Sequence, residues 1–100
     1  MSLSYTKNVE PLGQAGAARQ LAAGSTTANT ALSAGVFRVS MRATGADIRF
    51  AIGSGSQTAT STSHFIGKNE RLDFAVPPGA NIAVIRAGSI DGTLELTELV

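Results

Sequence analysis

The sequence predicts an all-β protein with one domain, either an antiparallel β-sandwich or a jelly-roll-like barrel. At least five short segments alternate apolar and polar residues, as half-buried strands do. Turns that contain Gly or Pro separate these segments at regular spacing, which is typical of sandwiches and barrels. The chain of 100 residues has the length of a single domain. A domain of this size buries somewhat more than about 60% of its unfolded surface, so association between copies would add to a modest core.

Two adjacent strands are the best defined. One covers residues 36–43, and the other covers residues 47–52. Their link starts with Gly45, and Gly in the first position of a two-residue turn is typical of a type II′ hairpin. The sequence therefore predicts a hairpin that places every apolar residue of both strands on one inward face. These residues are Phe37, Val39, Met41, Ala43, Ile48, Phe50 and Ile52, with Ala43 opposite Ile48, Met41 opposite Phe50 and Val39 opposite Ile52.

The same hairpin register predicts a group of arginines on the outward face. It places Arg42 opposite Arg49, with Arg38 one pleat further along. Like charges directly opposite each other are unfavourable, so an acidic group should balance them. Either a neighbouring strand supplies that acid, or the arginines extend into water, or they form a docking face for an acidic partner protein. The candidate partner-binding residues are Arg38, Arg42 and Arg49, and the candidate acids within the chain are Asp73, Glu95 and Glu98.

Three further strands are predicted in the second half of the chain. Residues 71–76 alternate, with Leu72, Phe74 and Val76 facing inward. Residues 77–79 (Pro-Pro-Gly) form a turn. Residues 82–85 are continuously apolar, which indicates a strand covered on both faces. A second turn at residues 91–92 (Asp-Gly) precedes the alternating segment at residues 93–97.

The first third of the chain is rich in Ala, Gly, Ser and Thr. Thr and Leu residues between positions 26 and 32 favour strand, whereas glycines weaken the alternative of a short helix at residues 15–23. We expect one or two edge strands here, after a flexible arm of about a dozen residues. The predicted organisation is an arm at residues 1–18 and a β-sandwich domain at residues 19–100.

Composition excludes several classes of protein. The absence of cysteine excludes disulfide scaffolds, thiolate zinc sites and cysteine nucleophiles. A formal net charge of +1 offers no bulk attraction to nucleic acid or to an anionic membrane. The N-terminus has no apolar segment of the signal-peptide type, and no window is long enough for a membrane span. We therefore expect a soluble protein made inside a cell, with neither nucleic acid nor membrane as a partner.

The segment at residues 52–65 (Ile-Gly-Ser-Gly-Ser-Gln-Thr-Ala-Thr-Ser-Thr-Ser-His-Phe) contains the one histidine of the chain, His64. Its glycines match neither the dinucleotide-binding spacing nor a P-loop, and no helix is predicted after it. No serine has a nucleophile-elbow pattern, and one histidine without clustered acids is a poor metal site. We expect no enzyme activity, no cofactor and no metal. The segment is either a solvated connection between strands or an array of hydroxyls that contacts a partner.

Six segments with a characteristic order carry a family resemblance. They are residues 48–53 (Ile-Arg-Phe-Ala-Ile-Gly), 57–60 (Gln-Thr-Ala-Thr), 64–67 (His-Phe-Ile-Gly), 72–77 (Leu-Asp-Phe-Ala-Val-Pro), 78–85 (Pro-Gly-Ala-Asn-Ile-Ala-Val-Ile) and 91–96 (Asp-Gly-Thr-Leu-Glu-Leu). In this order the chain resembles small virion-associated proteins of tailed bacteriophages. The resemblance covers residues 36–98. This chain has Ser56 and Gln57 where the family prefers Pro in the Ser/Thr loop.

The resemblance implies a β-sandwich accessory protein of the phage head, located in the virion. A capsid decoration or cement protein that binds between major capsid subunits is the first expectation, and a head-tail connector or tail accessory protein is the alternative. Its partners would be the major capsid protein or another virion protein, together with further copies of itself in a dimer or trimer. A carbohydrate-binding β-module is a hypothesis of a different class. It needs exposed aromatic residues, and the predicted core already contains Phe37, Phe50 and Phe74.

Overall fold

The computed structural model describes residues 14–100, which contain eight strands and no helix. Residues 1–13 of the predicted arm, which was expected at residues 1–18, lie outside the described residues. Within residues 14–100, nothing has the form of a membrane-spanning helix. The strands are β1 (Ala15–Ala23), β2 (Ala28–Ala31), β3 (Arg38–Thr44), β4 (Ile48–Ser54), β5 (His64–Ile66), β6 (Arg71–Ala75), β7 (Ala80–Arg86) and β8 (Gly92–Leu99).

The strands form two antiparallel four-stranded sheets. Sheet I has the order β1-β8-β3-β6, and sheet II has the order β2-β7-β4-β5. The first strand pairs with the eighth, the second with the seventh, the third with the sixth and the fourth with the fifth. This nested pairing is that of one long hairpin wrapped around a common core, which is the arrangement of an eight-stranded jelly roll. The predicted all-β fold class is confirmed.

The predicted hairpin between β3 and β4 is wrong. β3 pairs with β6 and β8 in sheet I, whereas β4 pairs with β5 and β7 in sheet II. The short link that contains Gly45, with a φ of 83°, is therefore a corner between the two sheets. The apolar faces of β3 and β4 both point into the core, as the alternation required. They meet across the sandwich instead of lying side by side, and alternation cannot distinguish these two arrangements.

The core lies between the two sheets and contains most of the residues predicted to face inward. Two predictions of burial are wrong. Phe37 is 56% exposed and Phe74 is 37% exposed. Phe37 precedes the first residue of β3, at the end of the sheet, and Phe74 lies on the edge strand β6. The buried core consists of Leu21, Ala23, Leu32, Val36, Val39, Met41, Ala43, Ile48, Phe50, Ile66, Val76, Ala80, Ile82, Val84, Leu94 and Leu96, with Ile52 and Leu72 packed partly against it.

The first third of the chain supplies one edge strand to each sheet. β1 is the outer strand of sheet I and β2 is the outer strand of sheet II, as expected for this region. β1 starts at Ala15, so residues 15–18 of the predicted arm belong to a strand paired with β8. On the other side of the molecule, β6 and β5 are the outer strands.

The Ser/Thr loop between β4 and β5 lies across the outer face of sheet II. The Gln57 N–H donates to Asn29 Oδ1 at 2.8 Å, and the Ala59 N–H donates to Thr27 Oγ1 at 2.8 Å. Asn29 is on β2, so the loop must cross β7 before it returns to β5. Ala59 is 2% exposed, and Ala83 of β7 is completely buried although it points away from the core. The loop is therefore a cover for sheet II, which explains why residues 82–84 are buried on both faces.

A glycine in β4, Gly53, lies against the Gln57 side chain of this loop. A Cβ atom at Gly53 would lie 2.8 Å from the Gln57 amide nitrogen, which is closer than real Cβ contacts allow. The Gln57 amide in turn donates to the carbonyls of Ser54 and Gly55, at 3.2 and 3.3 Å. A side chain at position 53 would therefore require the flexible end of Gln57 to shift.

Candidate docking face

Unlike sheet II, sheet I has no loop over its outer face among residues 14–100, and we call this surface the open face. Its strands carry mostly small or polar outward residues, including Ser40 and Thr44 on β3 and Thr93 and Thr97 on β8. Arg38 and Arg42 also point outward from β3, as the sequence predicted. Arg71 of β6 joins them, because the register places it directly across from Arg42. Arg42 and Arg71 are exposed, and Arg38 is half-buried.

The open face carries carboxylates as well as arginines. Glu95 of β8 lies across from Arg42 in the register, on the side opposite Arg71. Asp73 lies across from Ser40, whose hydroxyl accepts a hydrogen bond from Arg71 Nη1 at 2.9 Å. The residue opposite Arg42 is thus an arginine on one side and a glutamate on the other. Arginine presents planar donors to carboxylates, so this face is suited to an acidic partner surface.

Arg49 does not belong to the open face, so the predicted arrangement with Arg42 is wrong. It lies on β4, in sheet II, across from Phe65 and Ile85. Its Nη1 donates to the Ser63 carbonyl at 2.9 Å, and its guanidinium lies 5.1 Å from the centre of the Phe65 ring. These contacts fasten the returning end of the loop to the sheet. Arg49 therefore contacts the Ser/Thr loop on sheet II, and Arg71 occupies the position across from Arg42 that was predicted for Arg49.

Glu98, a candidate acid for the arginines, faces the interior of the sandwich instead. Its side chain is 1% exposed, and its Oε2 accepts from Arg19 Nε at 2.8 Å and from the Ser33 N–H at 2.9 Å. Arg19 Nη2 also donates to Ser33 Oγ at 3.1 Å. Burial by itself raises the pKa of Glu98, but the hydrogen bonds from Ser33 and Arg19 outweigh it and hold that pKa below the ordinary glutamate value. This pair connects β1 with β8 inside the fold and is not available to a partner.

No group of three or more His, Cys, Asp or Glu residues that could hold a metal occurs between residues 14 and 100. The ring of His64 lies against Phe50, with 5.5 Å between ring centres. A hollow of about 270 Å³ beside the link between β3 and β4 is lined by Asp47, Lys68 and five small or apolar residues. Asp47 is engaged there by the Lys68 N–H at 2.7 Å.

No family model, no curated protein and no solved structure matches this chain. The fold and the surface chemistry of the described residues are therefore the basis for a functional proposal, together with the resemblance noted in residues 36–98.

Proposed function

We propose that this protein is a structural accessory protein of a tailed-bacteriophage virion, of the capsid decoration or cement type. It attaches by the open face of sheet I to acidic surfaces on neighbouring major capsid subunits. Attachment of this kind requires no chemistry, only buried area and paired charges, with about 1,000 Å² or more at a specific interface. Copies associate with one another as a dimer or trimer, which would match a symmetry axis of a capsid.

The observation that carries this proposal is the difference between the two outer faces. A loop covers sheet II, where even Ala83 is fully buried, whereas sheet I exposes Arg42 and Arg71. Small outward residues on a sheet permit close approach, and the arginines supply charge-assisted hydrogen bonds to carboxylates. The jelly roll itself is common among viral capsid domains, which supports the proposal by analogy of fold.

Carbohydrate binding is the second candidate function, and two exposed aromatic residues favour it. Phe37 and Phe74 were expected in the core, but they present ring surface to solvent. Aromatic rings of this kind lie against sugar rings in binding modules, and jelly rolls also occur among lectins. Titration with a panel of host-surface glycans would separate the candidates, because a decoration protein needs no glycan affinity.

The copy number of the protein in purified virions tests the proposal directly. Quantitative mass spectrometry against the major capsid protein should give a copy number comparable to that of the capsid protein. A handful of copies per particle would instead support the alternative of a head-tail connector or tail accessory protein. Absence from virions would contradict every virion role.

The open face makes a specific prediction about attachment. Changing both Arg42 and Arg71 to Gln should weaken binding to capsids that lack the protein by about tenfold or more, because two charge-assisted hydrogen bonds are lost. The matched control changes Lys68 and Arg86 to Gln, which removes the same charge at residues outside the strands of sheet I and should leave binding within about twofold. Sedimentation of bound protein with capsids measures both. Equal losses in the two double variants would show that net charge, not this face, controls attachment.

A further inference from the structure

The two sheets have four outer strands, and three of them are protected against pairing with another chain. An outer strand exposes a row of backbone N–H and C=O groups, which natural proteins shield with short strands or charged side chains. β2 has four residues and β5 has three, whereas β6 carries the charged Arg71 and Asp73. β1 has nine residues, and its one charged side chain, Arg19, is held by Glu98 inside the fold. Of the outer strands in residues 14–100, β1 is therefore the one that shortness and charge leave unprotected.

The register shows which backbone groups of β1 point away from β8, along what we call the free edge. Gln14 and Val100 exchange two backbone hydrogen bonds of 2.8 Å, so Val100 directs its N–H and C=O groups toward β1. β8 runs without a register shift against β3, so every second residue before Val100 does the same. The odd-numbered residues of β1 from 19 to 23 lie opposite these positions. The backbone groups that face the free edge are therefore those of Ala18, Gln20 and Ala22.

The side chains at the free edge are small or uncharged, and their order is symmetric. Ala18, Gln20 and Ala22 are exposed and point to the open face, because the buried Leu21 and Ala23 alternate with them and point inward. The outward side chains read Ala-Gln-Ala in either direction, so a second copy that runs antiparallel presents the same row. A glutamine amide both donates and accepts, so it is complementary to the same amide of another copy. Pairing with a second copy thus places no like charges opposite each other at these positions.

We propose that two copies of this chain form a dimer by antiparallel pairing of their β1 strands, about a two-fold axis at Gln20. In this register Ala18 of each copy lies opposite Ala22 of the other. Three pairs of residues exchange about six backbone hydrogen bonds, two for each pair. The assembly is closed at two copies, because each copy has one such edge and uses it once. Sheet I of one copy continues directly into sheet I of the other.

The dimer places the open faces of both copies on the same side. Residues opposite each other in paired strands point to the same face of a sheet, so Arg42 and Arg71 of both copies face one partner surface. The dimer specifies how copies associate and enlarges the docking face, and in this respect it rests on the proposed function. Its test uses the purified protein without capsids. Failure of the dimer and failure of capsid attachment are therefore measured separately.

Gln20→Pro tests the pairing. Proline removes the N–H at the centre of the free edge, and an edge strand tolerates proline where that N–H has no partner in the sheet. Size-exclusion chromatography with light scattering should give the mass of two chains for the unmodified protein and of one chain for Gln20→Pro. Asp73→Pro is the matched control at the middle of β6, on the opposite edge, and it should remain dimeric. Circular dichroism checks that both variants keep the fold.

Cysteine substitution tests the register, since the chain has no cysteine of its own. Opposite residues in a hydrogen-bonded pair have Cα atoms about 5.5 Å apart, within the range of a disulfide. On mild oxidation, Gln20→Cys alone should form a covalent dimer, and so should an equimolar mixture of Ala18→Cys and Ala22→Cys. Ala18→Cys alone should not, because the two copies of that residue are about 14 Å apart across the pair.

The outcomes separate this dimer from other arrangements. A single chain at the highest soluble concentration of the unmodified protein would overturn the proposal, as would a trimer or a dimer that a folded Gln20→Pro leaves intact. A covalent dimer of Ala18→Cys alone, with none in the mixture, would overturn pairing about Gln20. Where Gln20→Pro loses the fold, the cysteine variants decide the question, because their small side chains lie on the exposed face of β1.

Discussion

Replacing Met41 with Asp should prevent the domain from folding. Met41 is completely buried in the middle of β3, with Leu72 and Leu96 across from it in the neighbouring strands. The change removes an apolar side chain, which costs about 2–5 kcal/mol, and it places an unpaired carboxylate among apolar neighbours. A domain of this length has about 5–15 kcal/mol of stability in total. Thermal unfolding followed by circular dichroism should show no cooperative transition near neutral pH.

Ser40→Asp is the control for this substitution. Ser40 is adjacent in β3, but its side chain faces outward and accepts a hydrogen bond from Arg71. An aspartate there gains Arg71 as a charged partner but lies directly across from Asp73, and these two small surface effects oppose each other, so we expect stability within about 1 kcal/mol of the unmodified protein. A cooperative transition for Met41→Asp within a few degrees of the unmodified protein would mean that the inward face of β3 has been wrongly assigned.

The sequence was informative about faces of strands and uninformative about their neighbours. Alternation identified Val39, Met41 and Ala43 as inward, because a period of two depends only on which face is buried. It also allowed a hairpin between β3 and β4, since a tight turn at Gly45 serves a hairpin and a corner between sheets equally well. The corner is formed instead of the hairpin because β6 and β8, which are distant in sequence, pair with both edges of β3. Such long-range pairing leaves no local signal.

The positions of the candidate arginines could be predicted only in part, for the same reason. Arg38 and Arg42 point outward from one strand, and their spacing of four residues is sufficient to show that they share a face. The exchange of Arg49 for Arg71 follows from strand pairing alone, which puts β4 in the other sheet. Phe37 was misjudged because alternation gives the direction of a side chain but not the extent of the sheet opposite it. The Ser/Thr loop covers sheet II through hydrogen bonds to Asn29 and Thr27. These two residues lie in the first third of the chain, where the sequence shows no clear alternation of apolar and polar residues, so this role could not be predicted.

Removing Arg19 should have the largest effect among the charged residues. In Arg19→Met the Glu98 carboxylate, 1% exposed, loses its ion pair and retains only the contacts to Ser33. Loss of one partner of a buried pair is strongly destabilising, and we expect a cost of about 3 kcal/mol. The same change at Arg86, whose partner Asp91 is 72% exposed, should cost less than about 1 kcal/mol. Replacing Glu98 as well, in the double variant Arg19→Met with Glu98→Met, should recover most of the lost stability. Urea denaturation compares all three.

The pH dependence of stability distinguishes an ion pair from simple packing at this position. The folded-state pKa of Glu98 is lowered, so the unfolded chain binds the proton more tightly than the folded protein does. The stabilisation by this carboxylate is therefore complete above the ordinary glutamate pKa of 4.5 and is lost as the pH falls toward the lower folded value. Unfolding measured from about pH 6 to about pH 2 should show a steeper acid loss for the unmodified protein than for Glu98→Gln. Parallel curves would mean that the carboxylate is not held in its charged form by Arg19 and Ser33, and that the side chain closes this end of the sandwich by packing alone.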